Sequence, residues 1–255
     1  NVGKSSLLNR MLGQKVAIVS SKPQTTRTRI MGVLTRGENQ LVFLDTPGLH
    51  KSRSRLGDYM VKSVTESVAN VDAGLLVVEA GEKISPADHD LIERFKKSGM
   101  PALLEDKTRL MAQIAELSAL FPFEAVVPVS AQDGSGVEEL IGELEKLCQP
   151  GGHFFDEDTL TDQPERVLAA EMVREKLLRL LDREIPHGTA VAVERMRERE
   201  DGSATDIDAV IFCERESHKG IIIGKGGSML KKVGTYARED MERFFGCKVN
   251  LKLWV

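Results

Sequence analysis

Asn1-Val2-Gly3-Lys4-Ser5-Ser6 runs directly into Leu7-Leu8-Asn9-Arg10-Met11-Leu12. Gly-Lys-Ser at the mouth of an apolar-periodic segment reads as a phosphate-binding loop opening into a helix. The first backbone N–H groups of a helix have no partner within it and point at an anion. Gly3 lets the backbone approach phosphate closely. Lys4 supplies a charged donor, and the Ser5 hydroxyl is a ligand for Mg²⁺. The triplet alone also suits an ordinary helix start, so the segments that follow decide its meaning.

Working outward, Gly13 is the expected C-cap of the first helix. Ser20 to Arg29 is polar, contains Pro23 and reads as a loop. Ile30–Thr35 and Gln40–Leu44 flank a short turn at Arg36-Gly37-Glu38-Asn39 and predict a hairpin. Its second strand ends at Asp45-Thr46-Pro47-Gly48. A carboxylate at the end of a strand, some forty residues after a phosphate loop, fits a Mg²⁺ ligand acting through water. Gly48 fits a backbone donor to the γ-phosphate.

Beyond Gly48, strands alternate with helices. Strands are expected at Ala73–Glu79, Met100–Leu104 and Ala125–Val129. Helices are expected at Arg55–Val68, Pro86–Lys97, Thr108–Leu120 and Val137–Leu147. Such alternation implies a mostly parallel sheet with helices on both faces, which binds ligands at the carboxyl ends of its strands. The loop at Gly3–Ser6, Asp45 and Ser130-Ala131 all fall at such ends.

Composition sets the outer bounds. The chain has 255 residues, 41% hydrophobic and 29% charged, which suits two soluble domains. No apolar run reaches the roughly 18 residues of a spanning helix. Cys148, Cys213 and Cys247 are too few and too widely spaced for a disulfide framework or a Cys-x-x-Cys metal site. The start has no apolar core of its own and is not read as a signal peptide. The net charge of −4 argues against a protein that coats nucleic acid throughout.

Gln149-Pro150-Gly151-Gly152-His153 is a breaker cluster and sets the expected boundary, with one domain at 1–150 and linker plus second domain at 151–255. Gln163–Leu181 predicts one long amphipathic helix. Val167, Ala170, Val173, Leu177 and Leu180 form its apolar stripe, and Arg166, Glu171, Arg174, Glu175 and Arg179 its polar face. Two alternating strands follow, Thr189–Met196 and Asp206–Arg215. Then Ile222-Ile223-Gly224-Lys225-Gly226-Gly227 leads into a helix carrying Leu230, Val233, Ala237, Met241 and Phe244, before a last strand at Lys248–Val255. Gly-x-x-Gly between two helices is the clamp of a KH module, which packs against the backbone of about four single-stranded nucleotides. From Ile211 to Val255 there are nine Lys/Arg against five Asp/Glu, so this region is basic within an acidic chain. Ile223, Gly224, Lys225, Gly226, Gly227, Lys231 and Lys232 are the expected RNA contacts.

Asn1–Asn9, Pro23-Gln24-Thr25-Thr26-Arg27, Asp45–Gly48 and Ser130-Ala131, followed by this helix order, resemble the Era family of bacterial GTPases along nearly the whole chain. The resemblance implies a P-loop GTPase domain with a mostly parallel sheet, followed by an α+β type II KH domain. It implies GTP/GDP and Mg²⁺ as cofactors. Asn1, Gly3, Lys4, Ser5 and Ser6 would line the phosphates. Ser5, Asp45 and Thr26, with Thr25 as the alternative, would hold Mg²⁺, and Ser130 and Ala131 would back the guanine. Lys4, Thr26 and Gly48 would be the catalytic contacts. The implied partner is single-stranded small-subunit ribosomal RNA near its 3′ end, within the small ribosomal subunit. The implied setting is a cytoplasmic monomer whose family resemblance extends to a peripheral contact with the inner face of the cell membrane.

Two departures stand out. The base-selecting Asn-Lys-x-Asp should follow Leu104, yet the chain reads Glu105-Asp106-Lys107 and holds that motif nowhere. Leu49 follows Gly48 where Ras-like proteins carry a water-orienting glutamine, so slow intrinsic hydrolysis is expected. These departures motivate the alternative of an RNA-binding chaperone with a decayed nucleotide site. GTPases of transfer-RNA modification or of the large subunit are disfavoured by the KH pattern.

Overall fold

The computed structural model describes residues 3–22, 25, 30–45, 71–78, 92, 102–105, 117–182 and 184–255. The chain forms two compact units, one of Asn1–Ala17 with Thr26–Asp162, the other of Ile18–Thr25 with Gln163–Val255.

In the first unit, α1 (Lys4–Leu12) begins after Gly3 at φ 90° and ends on Gly13 at φ 67°, whose N–H bonds to Arg10 O. Left-handed backbone at both ends is why glycine stands there. The helix buries Leu7, Leu8, Met11 and Leu12. Asn9, on its polar side, fastens the chain that leaves it. Its amide nitrogen donates to Ala17 O at 2.6 Å, and its oxygen accepts from Val16 N and Ala17 N at 2.9 and 2.8 Å.

The hairpin forms as expected: β1 (Ile30–Arg36) and β2 (Asn39–Asp45) are antiparallel, with Ile30 opposite Asp45. A separate parallel sheet has the order β3 (Gly74–Val77), β4 (Ala102–Glu105), β5 (Ala125–Val126). Leu76, Val78, Ile92, Leu117 and Phe121 pack beside it. The strand expected at Ala125–Val129 ends its pairing at Val126, opposite Leu104. Pro128 has no N–H to extend that ladder. Then α2 (Val137–Glu145) buries Val137, Leu140, Ile141 and Leu144. Residues 92 and 117–120 are helical. The remainder of the three helices expected between Arg55 and Leu120 lies outside the described residues.

The expected linker at 151–162 is bound into the first unit instead. Val33 N donates to Leu160 O at 2.8 Å, and Thr161 Oγ1 donates to Met31 O at 2.5 Å. Gln40 gives its Nε2 to Phe155 O and receives Phe154 N and Phe155 N on its Oε1. The Gly-rich stretch therefore turns the chain back along the hairpin rather than freeing it.

The second unit runs α3 (Glu165–Leu180), β6 (Thr189–Glu198), β7 (Thr205–Cys213), α4 (Glu216–Ile223), α5 (Ser228–Phe245) and β8 (Val249–Trp254). Strand β7 lies centrally, antiparallel to β6 and parallel to β8. Ile207 and Ile211 on its inner face meet Val173 and Leu177 of α3, and Val233, Ala237 and Met241 of α5, in one core. This matches the order expected of a type II KH fold.

One expectation for α3 is corrected. Part of its expected polar face is not solvated: Arg174 and Glu175 are buried, as is neighbouring Lys176, while Arg166 and Arg179 are exposed, and so is Val167 of the apolar stripe. The helix is covered on two sides, by the core and by the arm Ile18–Thr25.

Candidate nucleotide site and RNA-binding loop

The end of the first unit where phosphate is expected is assembled from α1 and the end of β2. Gly3 carries α1 on a left-handed backbone with no atom within 4 Å of where a Cβ would sit. The next N–H groups open the helix, and the first backbone bond closing back is Leu7 N to Gly3 O at 2.9 Å. Ser5 Oγ donates to Asp45 Oδ2 at 2.6 Å. Two of the residues expected to hold Mg²⁺, Ser5 and Asp45, are therefore already adjacent, though forty positions apart. A hydroxyl and a carboxylate are hard oxygen donors, and Mg²⁺ bound with phosphate needs only one or two protein ligands besides water. The donor set fits the ion. Lys4 and Ser6 flank Ser5 on the same first turn.

The loop expected to back the base is joined to the same helix. Arg10 Nη2 donates to Gln132 O at 2.6 Å. The loop Ser130–Gly136 is closed on itself, with Ser130 N on Ser135 O, Gly134 N on Ser130 O, and Ser135 N on Asp133 Oδ1, each at 2.8 Å. Ser130 and Ala131 thus sit on a fixed loop tied to the phosphate helix. Gly136, at φ 76°, lies against Pro128 O so closely that a Cβ would stand 2.0 Å from it.

Of the remaining expected contacts, Asn1, Thr26 and Gly48 lie outside the described residues. Thr25 is described and belongs to the second unit. Its hydroxyl donates to Lys22 O at 2.7 Å and shares a hydrogen bond with Ser20 Oγ at 2.8 Å. Its carbonyl accepts from Arg174 Nη2. The hydroxyl is thus occupied locally, which leaves Thr26 as the stronger candidate for Mg²⁺.

On the second unit, α4 and α5 meet at Gly224–Gly227. Gly224, Gly226 and Gly227 adopt φ of 74°, 59° and 80°. Gly227 N closes on Gly224 O at 3.0 Å. A Cβ at Gly224 would lie 2.7 Å from Met229 Cβ, whereas Gly226 faces open space. So Gly224 is required by the joint between the helices, and Gly226 leaves the outer surface bare for a close-packed backbone. Lys225, Lys231 and Lys232 are exposed around the loop, and Ile223 is half-buried. Two features were not foreseen: Ile221, 50% exposed beside the loop, and Tyr236, one turn beyond Lys232, whose Nζ lies 6.0 Å from the ring centroid.

Also unforeseen is the polar clasp of α3 on the arm. Glu175 Oε1 accepts from Val19 N at 2.9 Å, and Arg179 Nε donates to Val19 O at 2.9 Å. Lys22 Nζ donates to Leu181 O. Lys176 Nζ bonds Glu175 Oε2 at 2.7 Å and also Asp240 of α5. Burial pulls the Lys176 pKa down, but its hydrogen bonds to Asp240 and Glu175 outweigh that and leave it above the ordinary lysine value. No local pattern in Arg174-Glu175-Lys176 distinguishes this from a solvated helix face.

Comparison with known proteins agrees with this geometry. Residues 1–107 match the family model described as 50S ribosome-binding GTPase, and residues 184–255 match the KH domain model. The first match stops at Lys107, where Asn-Lys-x-Asp is missing. The chain is 47% identical to GTPase Era of Alkaliphilus metalliredigens, over all of this chain and 89% of that protein. It is 46% identical to GTPase Era of Clostridioides difficile, with the same coverage. Among solved structures it resembles Era in complex with MgGDPNP and nucleotides 1506–1542 of 16S ribosomal RNA, with TM-score 0.93, 36% identity and coverage of 100% of this chain and 89% of that one. It also resembles a point variant of Aquifex aeolicus Era bound to GDP·AlF4⁻, with TM-score 0.94, 37% identity and the same coverage. With both modules in order and nearly half of its residues shared over its full length, this chain belongs to the Era family of GTPases.

Proposed function

We propose that this GTPase uses nucleotide state to time its hold on single-stranded small-subunit ribosomal RNA, near the 3′ end, during maturation of the small ribosomal subunit. The observation that carries the RNA half is the Gly224–Gly227 loop, bare of side chains at Gly226 and ringed by Lys225, Lys231 and Lys232. A sugar–phosphate backbone packs on such a loop, and bases lie along the neighbouring apolar surface, where Ile221 and Ile223 are available. The solved relative holding MgGDPNP and 16S nucleotides supports this partner.

On the nucleotide side, Lys4 and the first-turn N–H groups of α1 bind and orient the phosphates. Ser5 and Asp45, now hydrogen-bonded to each other, would hold Mg²⁺, Asp45 through water. When bound, Mg²⁺ draws charge from the phosphate oxygens. Thr26 and Gly48 close the γ-phosphate end, and Ser130 and Ala131 back the base. Leu49 cannot orient water, so the chain alone turns over slowly. GTP and its ion would order the segment at Thr25-Thr26, and hydrolysis would release it. The same reading has the protein act as a cytoplasmic monomer with a peripheral membrane contact. Among the described residues no helix is long and apolar enough to cross a membrane.

The test is Gly226→Asp, assayed by fluorescence anisotropy on a single-stranded 16S 3′-end oligonucleotide. A carboxylate on this open loop faces the phosphates directly. At least a tenfold loss is expected, with GTP hydrolysis retained. Unchanged affinity rules out the groove.

A further inference from the structure

A nucleotide joins its base to its phosphates over a nearly fixed span. A site that grips both ends must therefore hold its two gripping elements at a matching separation. In the first unit those elements are remote in sequence. The residues expected to receive phosphate open α1, and those expected to back the base lie on the loop Ser130–Gly136. Arg10, on the last turn of α1, joins the two. It stands six residues after Lys4, about 9 Å along the helix axis.

The contact has two parts. Arg10 Nη2 donates to Gln132 O at 2.6 Å, across 122 positions of sequence. The guanidinium also lies against Gly134. A Cβ at Gly134 would stand 3.2, 3.3 and 3.4 Å from Arg10 Nε, Cζ and Nη2. Three bonded atoms so nearly equidistant from one point put that point over the flat of the group and not at its edge. Gly134, at φ 86°, leaves this face free to approach, and a side chain would push it off. The loop is closed on itself by Ser130 N on Ser135 O and Gly134 N on Ser130 O. Holding Gln132 and Gly134 therefore holds Ser130 and Ala131.

Fold stability is a poor account of this contact. Arg10 is exposed, and water would serve Gln132 O nearly as well. What a planar fork supplies, and water does not, is a set distance and direction between a helix and a loop. The chain also holds no Asn-Lys-x-Asp, so the loop that backs the base carries more of the nucleoside binding than it would beside that motif.

We propose that Arg10 is a positioning residue for nucleotide binding. It sets the separation between the first turn of α1 and the loop Ser130–Gly136, and so acts on the nucleoside half of the ligand and not on its phosphates. This rests on the placing of the base against Ser130 and Ala131 in the proposed function.

The experiment is calorimetric titration of the full chain with GTP and, separately, with inorganic triphosphate, both in Mg²⁺, beside thermal unfolding. Arg10→Met is expected to weaken GTP binding by at least about fivefold and to leave triphosphate binding within about twofold of wild type, the lost bond being that of an exposed charged donor. Arg10→Lys keeps a donor without the flat face and should fall between. Gly134→Ala, which displaces the guanidinium, should weaken GTP in the same selective way. The double variant should lose less than the product of the two single losses, because both break one contact. A purely structural role would weaken both ligands together and lower the melting temperature. That result, unchanged GTP affinity in folded Arg10→Met, or losses that multiply in the double variant would each overturn the proposal. Should Arg10→Met not fold, Arg10→Gln decides by the same comparison. A wild-type chain that binds GTP no more tightly than triphosphate would refute the placing of the base itself, and the proposal with it.

Discussion

Gly136→Ala is the sharpest single-atom probe of the base-backing loop. Two effects act at that position. Its φ of 76° is left-handed, which costs a non-glycine residue about 1 kcal/mol. The added Cβ would also stand 2.0 Å from Pro128 O, 3.0 Å from Pro128 C and 3.2 Å from Val129 Cα. All three are backbone atoms, so no side chain can swing aside. Relief requires Pro128-Val129 to move by about 1 Å or more, and overpacking of this kind costs about 1–3 kcal/mol. The total is about 3 kcal/mol. Gly37→Ala in the hairpin turn is the internal control: φ is 58°, and nothing lies within 4 Å of its Cβ. It should cost only the strain, about 1 kcal/mol. The sole tryptophan, Trp254, reports on the second unit, so the first is better followed by hydrogen exchange of peptides covering 137–145. Opening free energies should fall by about 2 kcal/mol more for Gly136→Ala than for Gly37→Ala. Equal losses would refute the argument from close approach. Because the strained peptide leads straight into Ser130-Ala131, GTP affinity should also weaken in the first variant and not in the second.

Ser5→Ala removes the hydroxyl now bonded to Asp45. Nucleotide affinity in Mg²⁺ over that in chelator should fall by at least tenfold relative to wild type, a charged hydrogen bond being worth about 1.5–3 kcal/mol. Asp206 accepts from Arg199 and Asn250, and these bonds hold its carboxyl well below the usual carboxylate range. A depressed folded pKa gives stability that is present above the unfolded value near 4 and lost as pH falls below it. Asp206→Asn should therefore flatten the acid limb of second-unit stability between about pH 4 and pH 2, read as the urea midpoint of Trp254 fluorescence. With no Asn-Lys-x-Asp, the chain lacks the carboxylate that would select guanine, and GTP should be preferred over ATP by less than tenfold in competition titrations. A preference of a thousandfold would show that another group reads the base.

Local chemistry made much of this fold readable. Gly3 and Gly13 bound α1 because only a residue without a side chain adopts left-handed backbone cheaply. The hairpin around Gly37, and the pair of helices meeting at Gly224–Gly227, follow from the same constraint. Ser5 and Asp45 were legible as partners through their chemistry, and they lie 2.6 Å apart. What sequence could not reveal depends on distant chain. Arg174, Glu175 and Lys176 look like a solvated face because helical periodicity records one buried side and not a second cover arriving from residues 18–25. The stretch 151–162 looks like a free linker because some of its bonds run to backbone groups of β1, Met31 O and Val33 N, which any sequence presents, and the others to a single side chain, Gln40, more than a hundred residues away. Pro128 was within reach, since it cannot extend a ladder, and reading it would have shortened β5.

The discontinuity of the second unit has a consequence for how the chain is made. Synthesis delivers Ile18–Thr25 first, and the helix that receives it emerges roughly 140 residues later. At ordinary elongation rates the interval is on the order of 10 s. During it, a nascent first unit cannot place this stretch finally, whatever else it has folded. Ser20, Ser21, Lys22, Gln24 and Thr25 suit such a wait, being soluble and poor at adhering to other nascent chains. Folding of the second unit is thus deferred until α3 has emerged, and a ribosome stalled before α3 would hold Ile18–Thr25 without the helix that receives it.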